Sequence, residues 1–214
     1  KADIVTPVEH SEWASPTVHV KKSNGQIRVC GDYKAVNECI QDDCYKLPNV
    51  TDMFAKLTVN GKPPQWFSVI DLSGAFNQLF LDEESAEYLT LNTSKGLLRP
   101  RRLAFGVKTA PAQFQRVIDT ILSGLKNVVV RVDDILVSTA TQADHLRVLK
   151  TVFQRLGKFN VRVNREKCHF FRSSVKYMGH LLTREGVSPL PEKLDAIERV
   201  PTPQNVSQLR SFLG

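Results

Sequence analysis

Residues 128–139, VVVRVDDILVST, set two adjacent aspartates between runs of valine and isoleucine, and no other stretch limits the fold so tightly. β-Branched side chains lose rotamer freedom in a helix and suit a pleated surface, so the run predicts a strand, a tight turn at Asp133–Asp134 and a returning strand. Two like charges at a hairpin apex repel each other. Either the pair is a plain turn, for which aspartate is a favoured residue, or something positive belongs beside it. A third carboxylate, Asp71, closes the β-prone run QWFSVID (65–71), in which Phe67, Val69 and Asp71 share one face, and LSGAF then makes a tight passage into helix. If the two strands are neighbours in one sheet, three carboxylates converge at one edge. Hard oxygen donors of this kind suit Mg²⁺, which takes a few carboxylates and completes its shell with water and substrate phosphates. Two such ions, roughly 3.5–4 Å apart, would serve an in-line phosphoryl displacement.

Around this centre the pattern mixes strands and helices, which predicts an α+β class. SPTVHVKKSNGQIRVCGDY (15–33) alternates apolar and polar residues about Asn24–Gly25, a hairpin signal. From Thr109, TAPAQFQRVIDTILSGLK has Phe114, Val117, Ile118, Ile121, Leu122 and Leu125 at helical spacing, with Pro111 in the first turn. A second helix begins at Thr141, where Asp144 completes a capping box, and Leu146, Leu149, Val152, Phe153 and Leu156 form its stripe before Gly157. VRVN (161–164) and SSVKYMGHLLT (173–183) read as strands flanking a basic turn. Pro189 and Pro191 introduce a helix, EKLDAIERV (192–200), which Pro201 and Pro203 end before NVSQLRSFLG begins another.

Composition is that of a globular chain, with 42% hydrophobic and 24% charged residues and no apolar run near the roughly 18 residues of a membrane span. The net charge is +7, and the basic residues are unevenly spread. Arg147, Lys150, Arg155, Lys158, Arg162, Arg165, Lys167, Arg172 and Lys176 face a single acid, Glu166, within 147–176; Arg99, Arg101, Arg102 and Lys108 form a second cluster. A polyanionic partner fits this excess, as does a solvated basic face. The four cysteines make no C-x-x-C pair, so free thiols in an intracellular compartment are expected; Cys168 beside His169 reads as a small buried hydrophobe next to a strand-end histidine. The opening on Lys1 and the end in RSFLG read as an excerpt of a longer polypeptide.

Nearly the whole chain resembles the reverse transcriptase of gypsy-like long-terminal-repeat retrotransposons, over fingers, palm and the start of the thumb. The resemblance rests on SEWASPTVHVKKSNGQIRVCGDYKAVN, KLPNV, FSVIDLSGAFNQL, LAFGVKTAPAQFQRVI, VDDILV, HLRVLKTVFQRL, NREKCHFF and the stretch from YMGHLLTREG to the end, in the family's order and spacing. It implies a right-hand polymerase fold: a palm of antiparallel sheet on helices, β-rich fingers and a helical start of the thumb. Residues 1–46 and 79–109 would be fingers, 47–78 and 110–184 palm, and 185–214 the beginning of the thumb. The implied activity is RNA-directed DNA synthesis, a nucleotidyl transfer that extends a DNA primer on an RNA or DNA template with deoxynucleoside triphosphates. Asp71, Asp133 and Asp134 would hold two Mg²⁺ ions, with Mn²⁺ an acceptable substitute and the backbone of Leu72 nearby. Phe76 would stack under the deoxyribose and exclude a 2′-hydroxyl. Lys22 and Arg28 would hold the triphosphate, Phe105 and Gly106 would support nucleotide and template, and Met178 and Gly179 would grip the primer end. Ribonuclease H and integrase domains would flank the segment in a polyprotein, with no membrane partner, in a cytoplasmic particle or the nucleus.

Arg131 breaks the pattern, because the family has an aromatic, usually tyrosine, two places before the aspartate pair; LAFG in place of methionine-proline-phenylalanine-glycine is a milder departure. Strand alternation would put residues 131 and 133 on one face, roughly 6.6 Å apart at about 3.3 Å per residue. A guanidinium about 7 Å from a divalent ion would be repelled by roughly 1 kcal/mol in water and about 5 kcal/mol at an effective dielectric near 20. Carboxylates and phosphates would attract it. A working polymerase, a slowed one and a non-copying nucleic-acid-binding remnant all stay open, and a metal-dependent nuclease would leave Phe76 and the Lys22–Arg28 hairpin without a purpose.

Overall fold

Burial of β-branched and aromatic runs on both faces makes a central sheet of four antiparallel strands, β4 (Trp66–Asp71), β7 (Val128–Arg131), β8 (Asp134–Thr139) and β9 (His169–Arg172), in the order β7-β8-β4-β9. The computed structural model describes residues 3–21, 25, 27–57, 63–192, 194 and 202–213, with the side chains of Arg28 and Phe212 also outside the description. β4 and β8 pair over six residues, from Trp66 opposite Thr139 to Asp71 opposite Asp134.

One face of the sheet carries Ile70, Ile135 and Val137 against helices α4 (Ala110–Ile121) and α5 (Gln142–Lys158). The other carries Phe67, Val69 and Leu136 against helix α2 (Val50–Ala55) and a second sheet of β10 (Ser174–Tyr177), β11 (His180–Thr183) and β12 (Gly186–Pro189). Burying each such side chain contributes roughly 1.5–3 kcal/mol, so the sheet is held from both sides. A third cluster, around Tyr33, Leu89 and Leu103, joins helices α1 (Lys34–Cys39) and α3 (Glu83–Tyr88) to a sheet ordered β1 (Val5–Val8), β6 (Gly96–Pro100), β5 (Leu91–Thr93). The chain's described part ends in helix α6 (Val206–Leu213), as NVSQLRSFLG predicts; the helix expected over 192–200 lies largely outside the described residues.

Several expectations shift by small amounts. The expected hairpin exists as β2 (Thr17–Lys21) and β3 (Ile27–Gly31), with Lys21 opposite Ile27; of the expected Asn24–Gly25 turn, Asn24 lies outside the described residues. VRVN is not a strand; it contributes one bridge, Val163 to Leu72, and HFFR supplies the fourth strand instead. Helix α4 stops at Ile121, before the left-handed Gly124 (φ +72°), and leaves Val117 exposed. All four cysteines are free, Cys168 packs at the core's margin and His169 opens β9. No helix among the described residues is long and apolar enough to cross a membrane.

The largest correction concerns α5. Thr141 caps it as expected, accepting from Asp144 N at 3.2 Å. Its buried line is His145, Leu149, Val152 and Leu156, whereas Leu146 is 62% and Phe153 37% exposed. His145 displaces Leu146 because a relay of hydrogen bonds crosses the core at that point. Thr139 Oγ1 donates to Thr141 O, so it accepts from His145 Nδ1 at 2.8 Å. Ser68 Oγ accepts from Phe171 N and so donates to His145 Nε2 at 2.6 Å. Burial favours the neutral imidazole, in which Nδ1 donates to Thr139 and Nε2 accepts from Ser68.

Burial lowers the pKa of His145. The unfolded chain therefore takes up the proton first, and the stability that neutral His145 supplies is present above about pH 6.5 and lost as pH falls below it. Urea unfolding at pH 7.5 and pH 5.5 should show a larger loss for the wild type than for His145→Gln. His145→Phe, which strands the two hydroxyls, should cost about 1–3 kcal/mol at pH 7.5; equal pH effects in wild type and His145→Gln would refute this assignment.

Candidate active site

The β4–β8 register sets Asp71 at the end of one strand opposite Asp134 at the start of the next. Arg131 opposite Asp134 closes the β7–β8 hairpin, so its two-residue turn is Val132–Asp133, one position earlier than the sequence predicts. Val132 accordingly has a left-handed backbone, φ +54°, which costs a β-branched residue on the order of 1–3 kcal/mol. The offset comes from Gln115, fully buried on α4: its Oε1 accepts from Val132 N at 2.7 Å and its Nε2 donates to Val130 O at 3.1 Å and Asp119 Oδ1 at 2.9 Å. Leu72 N donates to Asp133 O at 2.8 Å and ties the turn to the residue after Asp71. Tyr177 Oη donates to Asp134 O at 3.2 Å from the other side.

Backbone groups thus hold the two aspartates while their carboxylates stay open. Among the described residues no N–H or O–H reaches the carboxylate oxygens of Asp133 or Asp134. Burial first, and then the charges of Asp133 and Asp71, push the Asp134 carboxyl up to about 6, with Lys167 acting in the opposite sense. Lys167 Nζ stands 3.5 Å from Asp71 Oδ2. Asn164 N donates to Asp71 O at 2.8 Å, which anchors the 3-10 turn Arg165–Lys167 there. Among the described residues no group of three His, Cys, Asp or Glu side chains is gathered closely enough to hold a metal ion. The donor set is nonetheless chemically suited to a cation, being carboxylates whose mutual repulsion Lys167 relieves only in part.

Phe76 ring-stacks with Phe105 at 4.9 Å and with Phe114 at 6.0 Å, beside buried Leu72. Gly106 has φ +96°, accepts from Asn37 Nδ2 through its carbonyl, and lies so near β3 that a Cβ there would stand 3.2 Å from Gly31 O. Met178 (φ +47°) and Gly179 (φ +75°) form the β10–β11 turn, their left-handed pair being the geometry a two-residue hairpin needs. Lys22 and the side chain of Arg28 lie outside the described residues. A cavity of about 570 Å³, walled by Trp13, Ile40, Leu89 and Leu103, contains none of the three aspartates.

Arg131 does not share a strand face with Asp133, because Asp133 sits in the turn. Its Nη1 donates to Met178 Sδ at 3.6 Å, and among the described residues it forms no ion pair with a carboxylate. Sequence reasoning also missed Gln115 and Lys167. Gln115 left a faint signal, a polar residue between Phe114 and Ile118 on the helix's inner side; Lys167 left none, being one cation among nine.

A sequence profile of the family described as "Reverse transcriptase (RNA-dependent DNA polymerase)" matches residues 20–182. An uncharacterized Caenorhabditis elegans protein is 37% identical over 99% of this chain and 16% of its own length. The retrovirus-related Pol polyprotein from transposon 297 of Drosophila melanogaster is 34% identical over 98% of this chain and 20% of its own. The transposon Tf2-3 polyprotein of Schizosaccharomyces pombe is 32% identical over 94% and 15%. The chain therefore spans a fifth or less of these relatives. Among solved structures, the foamy viral protease-reverse transcriptase in complex with double-stranded DNA superposes with a TM-score of 0.87 at 27% identity, covering 99% of this chain and 36% of that one. The same viral protein with an RNA/DNA hybrid gives 0.83 at 26%, covering 99% and 28%. With an α+β polymerase fold and relatives among retrotransposon polyproteins, as its resemblance to gypsy-like enzymes implies, the chain belongs to the reverse transcriptase (RNA-dependent DNA polymerase) family.

Proposed function

We propose that this chain is the polymerase segment of a retrotransposon polyprotein and extends a DNA primer on an RNA or DNA template. The primer's 3′-hydroxyl attacks the α-phosphorus of a deoxynucleoside triphosphate; a phosphodiester bond forms, the α–β phosphate bond breaks and pyrophosphate leaves. The observation that carries this reading is the pairing of Asp71 with Asp134 and the turn that sets Asp133 beside them. Asp71, Asp133 and Asp134 would hold two Mg²⁺ ions, or Mn²⁺ in their place. When bound, the ions supply charge stabilisation at the attacking and leaving oxygens.

The chain's own residues do the rest. Phe76, backed by Phe105 and Phe114, offers an aromatic face for the sugar and no room for a 2′-hydroxyl. Lys22 and Arg28 hold the triphosphate, Phe105 and Gly106 support the nucleotide and template, and Met178–Gly179 supports the primer end. Residues 1–46 and 79–109 serve as fingers, 47–78 and 110–184 as palm, and 185–214 as the start of the thumb. Nucleic acids in the related viral complexes support RNA and DNA as partners, and polyprotein relatives support flanking domains such as ribonuclease H and integrase. The contact of the Arg131 guanidinium with Met178 favours a copying enzyme over a non-copying, nucleic-acid-binding remnant.

Primer extension on an RNA template with Mg²⁺, in the complete polypeptide, tests the assignment. Asp133→Asn should slow it at least about 100-fold, the scale of removing one group that holds transition-state charge; salt-sensitive binding with no synthesis, or degradation of a labelled primer, would overturn it. Phe76→Val should lower the preference for deoxynucleotides over ribonucleotides by about 10- to 100-fold, read as the ratio of kcat/KM values.

Asp134 yields a prediction of opposite sign for stability. Its unfolded carboxyl ionises near 3.8 while the folded one is pushed up to about 6, so the fold carries a cost that is absent at pH 3, grows between those values and is full above them. Without metal, Asp134→Asn should raise stability at pH 7.5 by on the order of 1–2 kcal/mol, a figure reduced for solvent screening of a half-exposed group, and leave it unchanged at pH 3. Chemical denaturation at the two pH values measures this, while extension by the same variant should be lost.

A further inference from the structure

Four described arginines are half-buried: Arg99, Arg102, Arg131 and Arg155. Three of them have oxygen acceptors. Arg99 faces the Glu87 carboxylate at 3.4 Å, Arg102 donates to the carbonyls of Asp3 and Gln78, and Arg155 donates to those of Ile121 and Ser123. Among the described residues Arg131 has only the thioether of Met178, a weak acceptor for one of its five N–H groups. It forms no ion pair with Asp134, although Asp134 is its cross-strand partner. Its other nitrogens are not among the described buried atoms left without a partner, so they face solvent and are open to an anion.

The position says which anion. Arg131 ends β7, at the edge of the sheet, and its head bridges from the Val132–Asp133 turn to the Met178–Gly179 turn. Phe76 instead follows on from β4, across β8 from Arg131, with Phe105 packed against it from the chain beyond β6. An anion that touched both turns would lie on the Met178 side and not beside the nucleotide's aromatic pair. A guanidinium fork matches two oxygens of one phosphodiester, which a tyrosine at the same place could not neutralise.

We propose that Arg131 holds a backbone phosphodiester of the primer strand near its 3′ end, with Met178 Sδ steering the guanidinium into place. This rests on the polymerase reading for the identity of the strand, and it makes Arg131 a positioning residue rather than an obstacle to metal binding.

The test is binding of a fluorescent DNA primer on an RNA template to the complete polypeptide in EDTA, as a function of salt. Arg131→Gln should weaken binding several-fold and reduce the slope of log Kobs against log salt by about 0.9, the release from one phosphate. Arg131→Lys, which retains the charge, should retain most of the slope and shows that the site tolerates substitution. Methylphosphonates placed singly along the terminal primer linkages locate the contact: at one linkage the neutral group should weaken wild type to the level of Arg131→Gln and leave Arg131→Gln unaffected. An unchanged slope, or methylphosphonates that weaken both proteins equally at every linkage, would overturn the proposal. So would a raised KM for the deoxynucleotide in Arg131→Gln with duplex binding unchanged, which would assign the cation to the triphosphate. Because binding is read without metal, a linkage-specific loss in a protein that cannot extend primers would refute the polymerase reading and leave the phosphate contact standing.

Discussion

The six-residue antiparallel register of β4 on β8 is the constraint on which the site depends, because it alone brings Asp71 across from Asp134. Apolar burial does not determine this register, since both strands are buried on both faces and a slip would still bury valine and isoleucine. Polar groups in the core do. Ser68 and Thr139 present hydroxyls to the two nitrogens of His145, and Ser68 also receives the Phe171 N–H from β9. A slip of one residue would turn the slipped strand's hydroxyl to the opposite face, and a slip of two would separate it from the imidazole. In either case buried donors would lose their partners, at about 1–3 kcal/mol each. The register at the aspartates is therefore secured at the far end of the same strands.

A second division of labour operates at the aspartates themselves. The backbones of Asp133 and Asp134 are engaged by Leu72 and Tyr177, with Gln115 holding the neighbouring Val132, while among the described residues the carboxylates of Asp133 and Asp134 are not. A hydrogen-bonded carboxylate would be lower in energy and less available to a cation, so the arrangement stores repulsion where a divalent ion can relieve it. Lys167 relieves part of it in the metal-free state, from the most exposed side of Asp71. A surface ion pair of this length contributes little, roughly 0–1 kcal/mol, and it can yield to a stronger charge.

Sequence patterns expose what is local and conceal what is reciprocal. The Asp133–Asp134 hairpin, β4 and both long helices follow from β-branched runs, helical spacing and the Thr141 cap, each encoded within a few residues. The turn falls one place early because Gln115, thirteen or more residues away, claims the Val132 N–H. Leu146 outranks His145 on any hydrophobic scale, yet the hydroxyls of Ser68 and Thr139 draw the histidine inward. HFFR pairs with β4 while VRVN does not, since the hydrogen bond from Asn164 N to Asp71 O pulls the chain across the strand end and delays pairing. Lys22 and Arg28 are assigned through resemblance alone, as a basic residue flanking a hairpin has no local signature of a ligand.

The basic stretch from 147 to 176 shows how far a charge count can mislead. Arg147 is engaged by Asp144, Lys176 by Glu192 and Lys167 by Asp71, while Arg155 is turned inward to backbone carbonyls. Lys150, Lys158, Arg162, Arg165 and Arg172 are exposed and have no ion pair among the described residues. Only the second group is free to release counterions from a polyanion without first breaking an internal contact. Each engaged cation would surrender an internal partner to gain a phosphate, so its net contribution to affinity is smaller than its charge. If the chain moves along a template after each addition, as proposed above, it gains from this, because a grip using every cation would make every step a multiple dissociation. On the same proposals, fewer free cations spread over the surface would keep general affinity modest, and the half-buried guanidinium at the aspartate turn would concentrate positioning at the strand end.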